Sequence, residues 1–354
     1  MDHTQQLLKE LTEAHGVPGY ESEVCALVRR YLEPLGAIGR DRIGSLICRQ
    51  GDSGPRVMLA GHMDEIGFMV SHITGEGYLK FLPLGGWWNH VLLGQRVIVK
   101  ARQGDLLGVL GAKPPHMLRG EERSKVMDRN DMYIDLGITS KEEVEQLGVR
   151  PGDPVVPDAS FQVMANGKAY VGKAFDDRVG VALVIDTLRH FLEAPRPNRL
   201  FGVATVQEEV GCRGARTSAE VVKPDVAIVL ETDLCGDVPG IKPEESTVKL
   251  GGGPSLFLLD TRMVPNHRLR DLVVDTAREL EIPLQFSAHT GGATDGGEIH
   301  LHDTGVPTLV MGVPTRHIHS HSGILHRDDY DRALRLLCAV VAKLDAETVA
   351  GLVV

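Results

Sequence analysis

The chain has 354 residues and a formal net charge of −10, enough length for a large core shared between two domains. The negative surplus, with no basic stripe, argues against nucleic acid or an anionic membrane as the main partner. Five cysteines (Cys25, Cys48, Cys212, Cys235 and Cys338) are odd in number and lack CxxC spacing. They read as structural thiols in a reducing compartment.

The opening stretch MDHTQQLLKELTEAHG has no charged n-region followed by an apolar h-region, and no run approaches about 18 apolar residues. A soluble, cytoplasmic protein is expected. Leu7, Leu8 and Leu11 share one helical face, with Thr4 as N-cap and Gly16 as stop, and SEVCALVRRYLEPLG predicts a second amphipathic helix. RVMLAGHMDEIGFMV (56–70) opens on an apolar run typical of a strand buried on both faces. The segments 200–207, 226–232 and 307–313 share that character. Between them, DRVGVALVIDTLRHFLEA places Val181, Ile185, Leu188 and Leu192 on one face, HRLRDLVVDTARELEI is similar, and a long helix closes the chain from about Asp328.

Alternating strands and helices predict an α/β fold with a mostly parallel central sheet flanked by helices. Residues 71–163 break the rhythm with short β-branched runs punctuated by Gly and Pro and one helical stretch near SKEEVEQLG. They predict a small β-rich, barrel-like domain inserted into a catalytic domain formed by 1–70 plus 164–354.

In open α/β sheets, ligands sit beyond the carboxyl ends of the strands. His62 follows the first strand, Glu208 and Glu209 the second, Glu231 and Asp233 the third, and His317, His319 and His321 the fourth; Asp176 and Asp177 open a helix. Carboxylates crowded at one sheet edge repel each other and are costly to desolvate, so a cationic partner is expected. Imidazole with carboxylate suits zinc, cobalt or manganese. Five or more such groups exceed one tetrahedral ion and predict two divalent metal ions, about 3.5 to 4 Å apart. Neighbours on a regular strand face opposite ways, so Glu208 and Glu209 converge only if the strand breaks there. One can then bind metal while the other acts as general base.

The ordered set GHMDEIGFMV, GKAFDDRVG, VQEEVGCRGA, a strand-terminal acid followed by GDVPG, GGATDGGEIH and RHIHS resembles the self-compartmentalising tetrahedral (TET) aminopeptidases, which include the glutamyl and deblocking aminopeptidases. The resemblance covers nearly the whole chain. It implies a co-catalytic di-metal exopeptidase acting on short peptides with a free N-terminus, built from dimers into a dodecamer. It implies metal ligation by His62, Asp176, Glu209, Glu231 and His319, with Glu208 as general base and Asp64 as the acid orienting His62. Glu231 stands where the family usually carries Asp, which leaves Asp233 as a reserve ligand, and His317, His321 and His326 exceed the usual tract.

The expected reaction has the metals polarising the scissile carbonyl and activating a water, with the substrate amine held at one metal, and Glu208 moving the water proton to the leaving amine. The inserted domain is expected to mediate assembly, and Trp87 and Trp88 are its interface candidates. Alternatives are a related di-metal carboxypeptidase or amidohydrolase, a glycoside hydrolase with paired carboxylates, and a binding protein with a residual metal site.

Overall fold

The structure, a computed structural model, describes residues 1–353. The chain opens with helices α1 (His3–Glu13) and α2 (Ser22–Leu32) and strands β1 (Ala37–Arg40), β2 (Leu46–Gln50) and β3 (Arg56–His62). The cap of α1 is Asp2, not Thr4: its carboxylate accepts from Gln5 N while the Gln5 side chain answers the Asp2 backbone. A carboxylate at N-cap also favours the helix dipole, and Thr4 is a buried residue of the first turn.

Six strands follow: β4 (Gly67–Ile73), β5 (Leu79–Leu84), β6 (Arg96–Ala101), β7 (Gly104–Gly111), β8 (Tyr133–Asp135) and β9 (Pro154–Pro157), with the short α3 (Lys141–Gln146). They close as a barrel, β4-β5-β8-β7-β6-β9, around its own apolar core of Phe68, Val97, Val99, Leu110 and Ile134. Trp87 belongs to that core, stacked on Phe68 at 4.8 Å and donating Nε1–H to Gly67 O at 2.9 Å. Trp88 is 65% exposed.

The chain then returns through β10 (Gln162–Val163), β11 (Ala169–Gly172), α4 (Phe175–His190), β12 (Arg199–Thr205), α5 (Arg213–Val222), β13 (Val226–Leu234) and β14 (Ser255–Leu259). It ends with α6 (His267–Glu279), β15 (Gln285–Ala288), α7 (Gly296–Ile299), β16 (Thr308–Arg316), β17 (Gly323–His326), α8 (Arg327–Lys343) and α9 (Ala346–Ala350). The large sheet runs β1-β2-β12-β3-β13-β16-β17-β11-β10, with β14 and β15 attached beside β16. Its central strands β12, β3, β13 and β16 are parallel, and antiparallel strands extend both flanks. Helices α1, α2, α4, α6 and α8 pack on one face and α5 and α7 on the other.

Helix α4 is buried on all sides from Val179 to Leu188, rather than amphipathic. Leu192 is exposed because it lies past the C-cap Phe191, where the helix has ended; up to that point the helix is wedged between the sheet and α1, α2 and α8. The close approach of α4 to β3 and β13 depends on two glycines. A Cβ on Gly61 would sit 2.6 Å from the Gly180 carbonyl carbon, and one on Gly180 would meet Leu230 O at 2.6 Å. This contact sets the start of α4 against the end of β3. No helix among the described residues is long and apolar enough to cross a membrane.

Candidate metal centre

The parallel strands β3, β12, β13 and β16 all end at one edge, and the chain leaves them through strained turns. Ala174, Gln207, Cys212, His317 and His319 all have left-handed φ between 52° and 58°, a conformation that costs non-glycine residues about 1–2 kcal/mol each. Gln207 is the break that separates the Glu208–Glu209 pair from β12. Past it, Gly211 N and Cys212 N both donate to Glu208 O at 2.8 Å, folding the turn tightly.

Asp64 anchors that turn. Fully buried, it accepts the Glu208 and Glu209 backbone N–H groups on its two oxygens, at 3.0 and 3.1 Å. Its effect on His62 comes chiefly through the backbone. His62 Nδ1 is 3.0 Å from Asp64 O but 3.7 Å from the carboxylate, because the carboxylate is already committed to the turn.

His62 Nε2 faces three carboxylates: Asp176 Oδ1 at 3.3 Å, Glu208 Oε2 at 3.9 Å and Glu231 Oε2 at 4.0 Å. His319, across the cleft, repeats the arrangement, with Nδ1 2.6 Å from Gly86 O and Nε2 3.3 and 3.5 Å from Asp176 Oδ2 and Glu209 Oε1. Asp176 thus lies between the two rings, one oxygen toward each. Asp177 instead turns into the fold, accepting His62 N and Gly180 N, both at 3.0 Å. Ligand-type atoms of His62, Asp176 and Glu209 lie within 4.8 Å of one another, as do those of His62, Asp177 and Glu231.

A carbonyl only accepts, so each Nδ1 carries a proton, and each Nε2 faces carboxylates, where it can donate as imidazolium or, in the neutral ring, offer a lone pair to a cation. Four carboxylates aimed at one volume around two imidazoles require positive charge there. Burial raises the Glu208, Glu209 and Glu231 carboxyls, Glu209 to about 7. Burial raises Asp176 too, but His319 and His62 more than offset it and hold it well below the usual range. Burial lowers both imidazoles, and neighbouring carboxylates more than reverse this, taking His319 to about 10.

Glu231 reaches the cluster, whereas Asp233 is bound elsewhere, accepting from Ser255 Oγ and pairing with His289 Nε2 at 2.8 Å. The extra histidines stand apart. His317 is exposed, His326 caps α8, and buried His321 meets Arg96 O at 3.0 Å, with burial pushing its pKa down to about 4.

Other participants were not singled out from the sequence. Cys212 Sγ donates to Glu208 Oε1 at 3.3 Å. Asp295, from the quoted GGATDGGE segment, accepts Thr205 Oγ1 at 2.5 Å and is raised to about 6 by burial. Lys173 and Glu65, each 2% exposed, pair at 2.7 Å and tie the Asp176 turn to the segment after His62; their places beside the GKAFDDRVG and GHMDE motifs were the available signal. The Gly86 carbonyl comes from the barrel and had none.

The cluster floors a cleft of about 850 Å³, whose other walls include Leu234, Phe257, Arg262, His289 and Thr290.

Comparison with known proteins shows the family and the fold. The family profile described as M42 glutamyl aminopeptidase matches residues 44–336, and a second, described as AMPT, matches residues 2–25. The glutamyl aminopeptidase of Lactococcus lactis is 33% identical over 349 residues, 97% of each chain. The structure of a TET aminopeptidase from the marine sediment archaeon Thaumarchaeota archaeon SCGC AB-539-E09 superposes with a TM-score of 0.97 at 48% identity, covering 99% of this chain and 98% of that one. The Pyrococcus horikoshii TET1 peptidase, which can assemble into a tetrahedron or a large octahedral shell, gives a TM-score of 0.88 at 32% identity over 96% of this chain and all of that one.

Proposed function

The chain belongs to the M42 glutamyl aminopeptidase family, a family of peptide-bond hydrolases, and from that premise we propose a metal-dependent aminopeptidase that removes N-terminal residues from short peptides with two divalent ions. The observation that carries this reading is the pair of Nε2 atoms facing carboxylates on both sides of Asp176, each ring anchored through Nδ1 to a backbone carbonyl. Neutral imidazole and carboxylate together are the donor set of zinc, cobalt or manganese. His62, Asp176 and Glu231 would hold one ion and His319, Asp176 and Glu209 the other. Bound there, the ions would supply Lewis acidity and acidify water toward neutral pH.

Glu208 is the proton carrier. Its Oε2 takes a proton from the attacking water, and the same oxygen delivers it to the leaving nitrogen as the C–N bond breaks. Burial prepares it for this by raising its affinity for a proton. Asp64, through two backbone hydrogen bonds, positions Glu208 and Glu209 together, and the Gly86 and Asp64 carbonyls fix the tautomers of the two histidines.

In this reading residues 1–70 with 164–354 are the catalytic domain and 71–163 the assembly domain, except that β4 carries Gly67–Val70 into the barrel and β10 (Gln162–Val163) pairs in the large sheet. Exposed Trp88 and Met117, each 65% exposed, would lie at contacts between copies, with dimers assembling to a dodecamer. Five buried free cysteines suit a cytoplasmic location.

The test is hydrolysis of leucine p-nitroanilide and its N-acetyl derivative by metal-loaded protein. Cleavage of the first only, lost on chelation and lost in Glu208→Gln with metal content intact, is expected. Cleavage of the blocked substrate, or full turnover by Glu208→Gln, would overturn the assignment.

A further inference from the structure

The two oxygens of Glu208 face different neighbours. Oε2 looks toward His62 Nε2, while Oε1 accepts the Cys212 thiol at 3.3 Å, and Arg262 lies against Cys212 in turn. Among the described residues, Arg262 is the only Lys or Arg lining the cleft, set against the carboxylates at its reacting end.

Its backbone is fixed. Buried Asp260 accepts the N–H groups of Arg262 and Met263 at 2.7 and 2.8 Å and the Thr294 hydroxyl at 3.0 Å. Thr261 N is tied to Gly292 O at 3.0 Å. The guanidinium pairs with Glu298 Oε1 through one nitrogen, its one side-chain hydrogen bond to oxygen among the described residues. A five-donor planar fork with most donors uncommitted, on a fixed turn at the wall of a cleft, matches a carboxylate.

The reaction places that carboxylate. Glu208 hands its proton to the leaving nitrogen, which belongs to the second residue of the peptide. That residue therefore lies beside Glu208, in the cleft whose wall includes Cys212 and Arg262. We propose that Arg262 forms a carboxylate-receiving subsite for the second residue of the substrate; this rests on the aminopeptidase reading with Glu208 as proton carrier. The carboxylate is either the α-carboxylate of a dipeptide or an Asp or Glu side chain in a longer one.

The experiment compares kcat/KM within each protein for three substrate pairs: Leu-Ala against Leu-Ala-amide, Leu-Glu-amide against Leu-Gln-amide, and Glu-Ala-amide against Gln-Ala-amide. The first pair tests the terminal carboxylate, the second an acidic side chain at the second residue, and the third an acidic first residue. The wild-type chain is expected to favour the carboxylate member of the first or second pair by about tenfold to a hundredfold, the range of one charge-assisted contact. Arg262→Gln should bring that ratio close to one, and Arg262→Lys, which keeps the charge but not the fork, should restore part of it. Calorimetric affinities of the same pairs for the Glu208→Gln protein should show the same preference without turnover.

A wild type that cleaves all the peptides without preference in the first two pairs overturns the subsite while leaving the aminopeptidase reading intact. So does a preference that survives Arg262→Gln, or an Arg262-dependent preference confined to the third pair. Failure of the metal-loaded wild type to cleave any of them would instead remove the reading beneath it.

Discussion

Asp64→Asn is the substitution whose effect follows most directly from the geometry around the cluster. The wild-type carboxylate, fully buried, receives two backbone N–H groups at 3.0 and 3.1 Å. The isosteric amide keeps one acceptor oxygen and turns an NH2 group at the other N–H. One charge-assisted bond worth about 1.5–3 kcal/mol is lost, and a buried N–H left unpaired costs about 1–3 kcal/mol more. Allowing for relaxation, about 2–5 kcal/mol is expected, a large part of a stability of about 5–15 kcal/mol. The turn that loses its anchor carries Glu208 and Glu209, so metal affinity should fall with stability, by about tenfold to a hundredfold. Guanidinium unfolding of the stripped protein reads the first effect, and competition with a chromogenic zinc chelator reads the second. An Asp64→Asn chain with the wild-type unfolding midpoint and zinc affinity within twofold would refute the anchoring role.

Lys173→Met should destabilise by up to about 3–5 kcal/mol in denaturant unfolding, because buried Glu65 keeps only Arg178, 3.6 Å away, as a counter-charge, and an unchanged unfolding midpoint would count against the pair. Burial raises Glu21 from 4.5 to about 7, with Asp64 adding to the effect. The folded chain therefore holds a proton that the unfolded chain has released, and stability from this group is full below about pH 4.5 and lost as pH rises through 7. Glu21→Gln, which keeps an acceptor oxygen for Gly19 N and Gln207 N, should thus raise the melting temperature at pH 8 by a few degrees, for at most about 3 kcal/mol, with little change at pH 4; equal shifts at both would count against it. Trp87→Ala should cost about 3–5 kcal/mol through the barrel core, whereas Trp88→Ala should leave unfolding nearly unchanged and alter the assembly seen by analytical ultracentrifugation.

The α/β fold was legible because the central strands are buried on both faces and read as unbroken apolar runs, and because Gly and Pro mark the barrel strands. The antiparallel flanks were not, since short half-exposed strands such as Ala37–Arg40 and Gln162–Val163 carry little hydrophobic pattern. Periodicity gave Leu192 a buried place that the end of α4 denies it. The convergence of His62, Asp176, Glu208, Glu209, Glu231 and His319 could be anticipated because each lies at or just beyond the end of a strand, or where a helix begins. What each carboxylate does there could not. Sequence spacing does not reveal that Asp64 bonds to backbone, that Asp177 turns inward while Asp176 spans two imidazoles, or that Asp233 is engaged by Ser255 and His289. Those distinctions depend on left-handed turns at Ala174 and Gln207 and on a Gly86 carbonyl supplied by the other domain, none of which leaves a side-chain signature.

The ring of imidazoles and carboxylates around Asp176 is proposed to hold two cations. Equilibrium dialysis of the chelator-stripped chain against zinc, followed by elemental analysis, tests it most directly. Two tightly held ions per chain, falling to one or none in Asp176→Asn, are expected. Retention no greater than that of a chain lacking both His62 and His319 would contradict it.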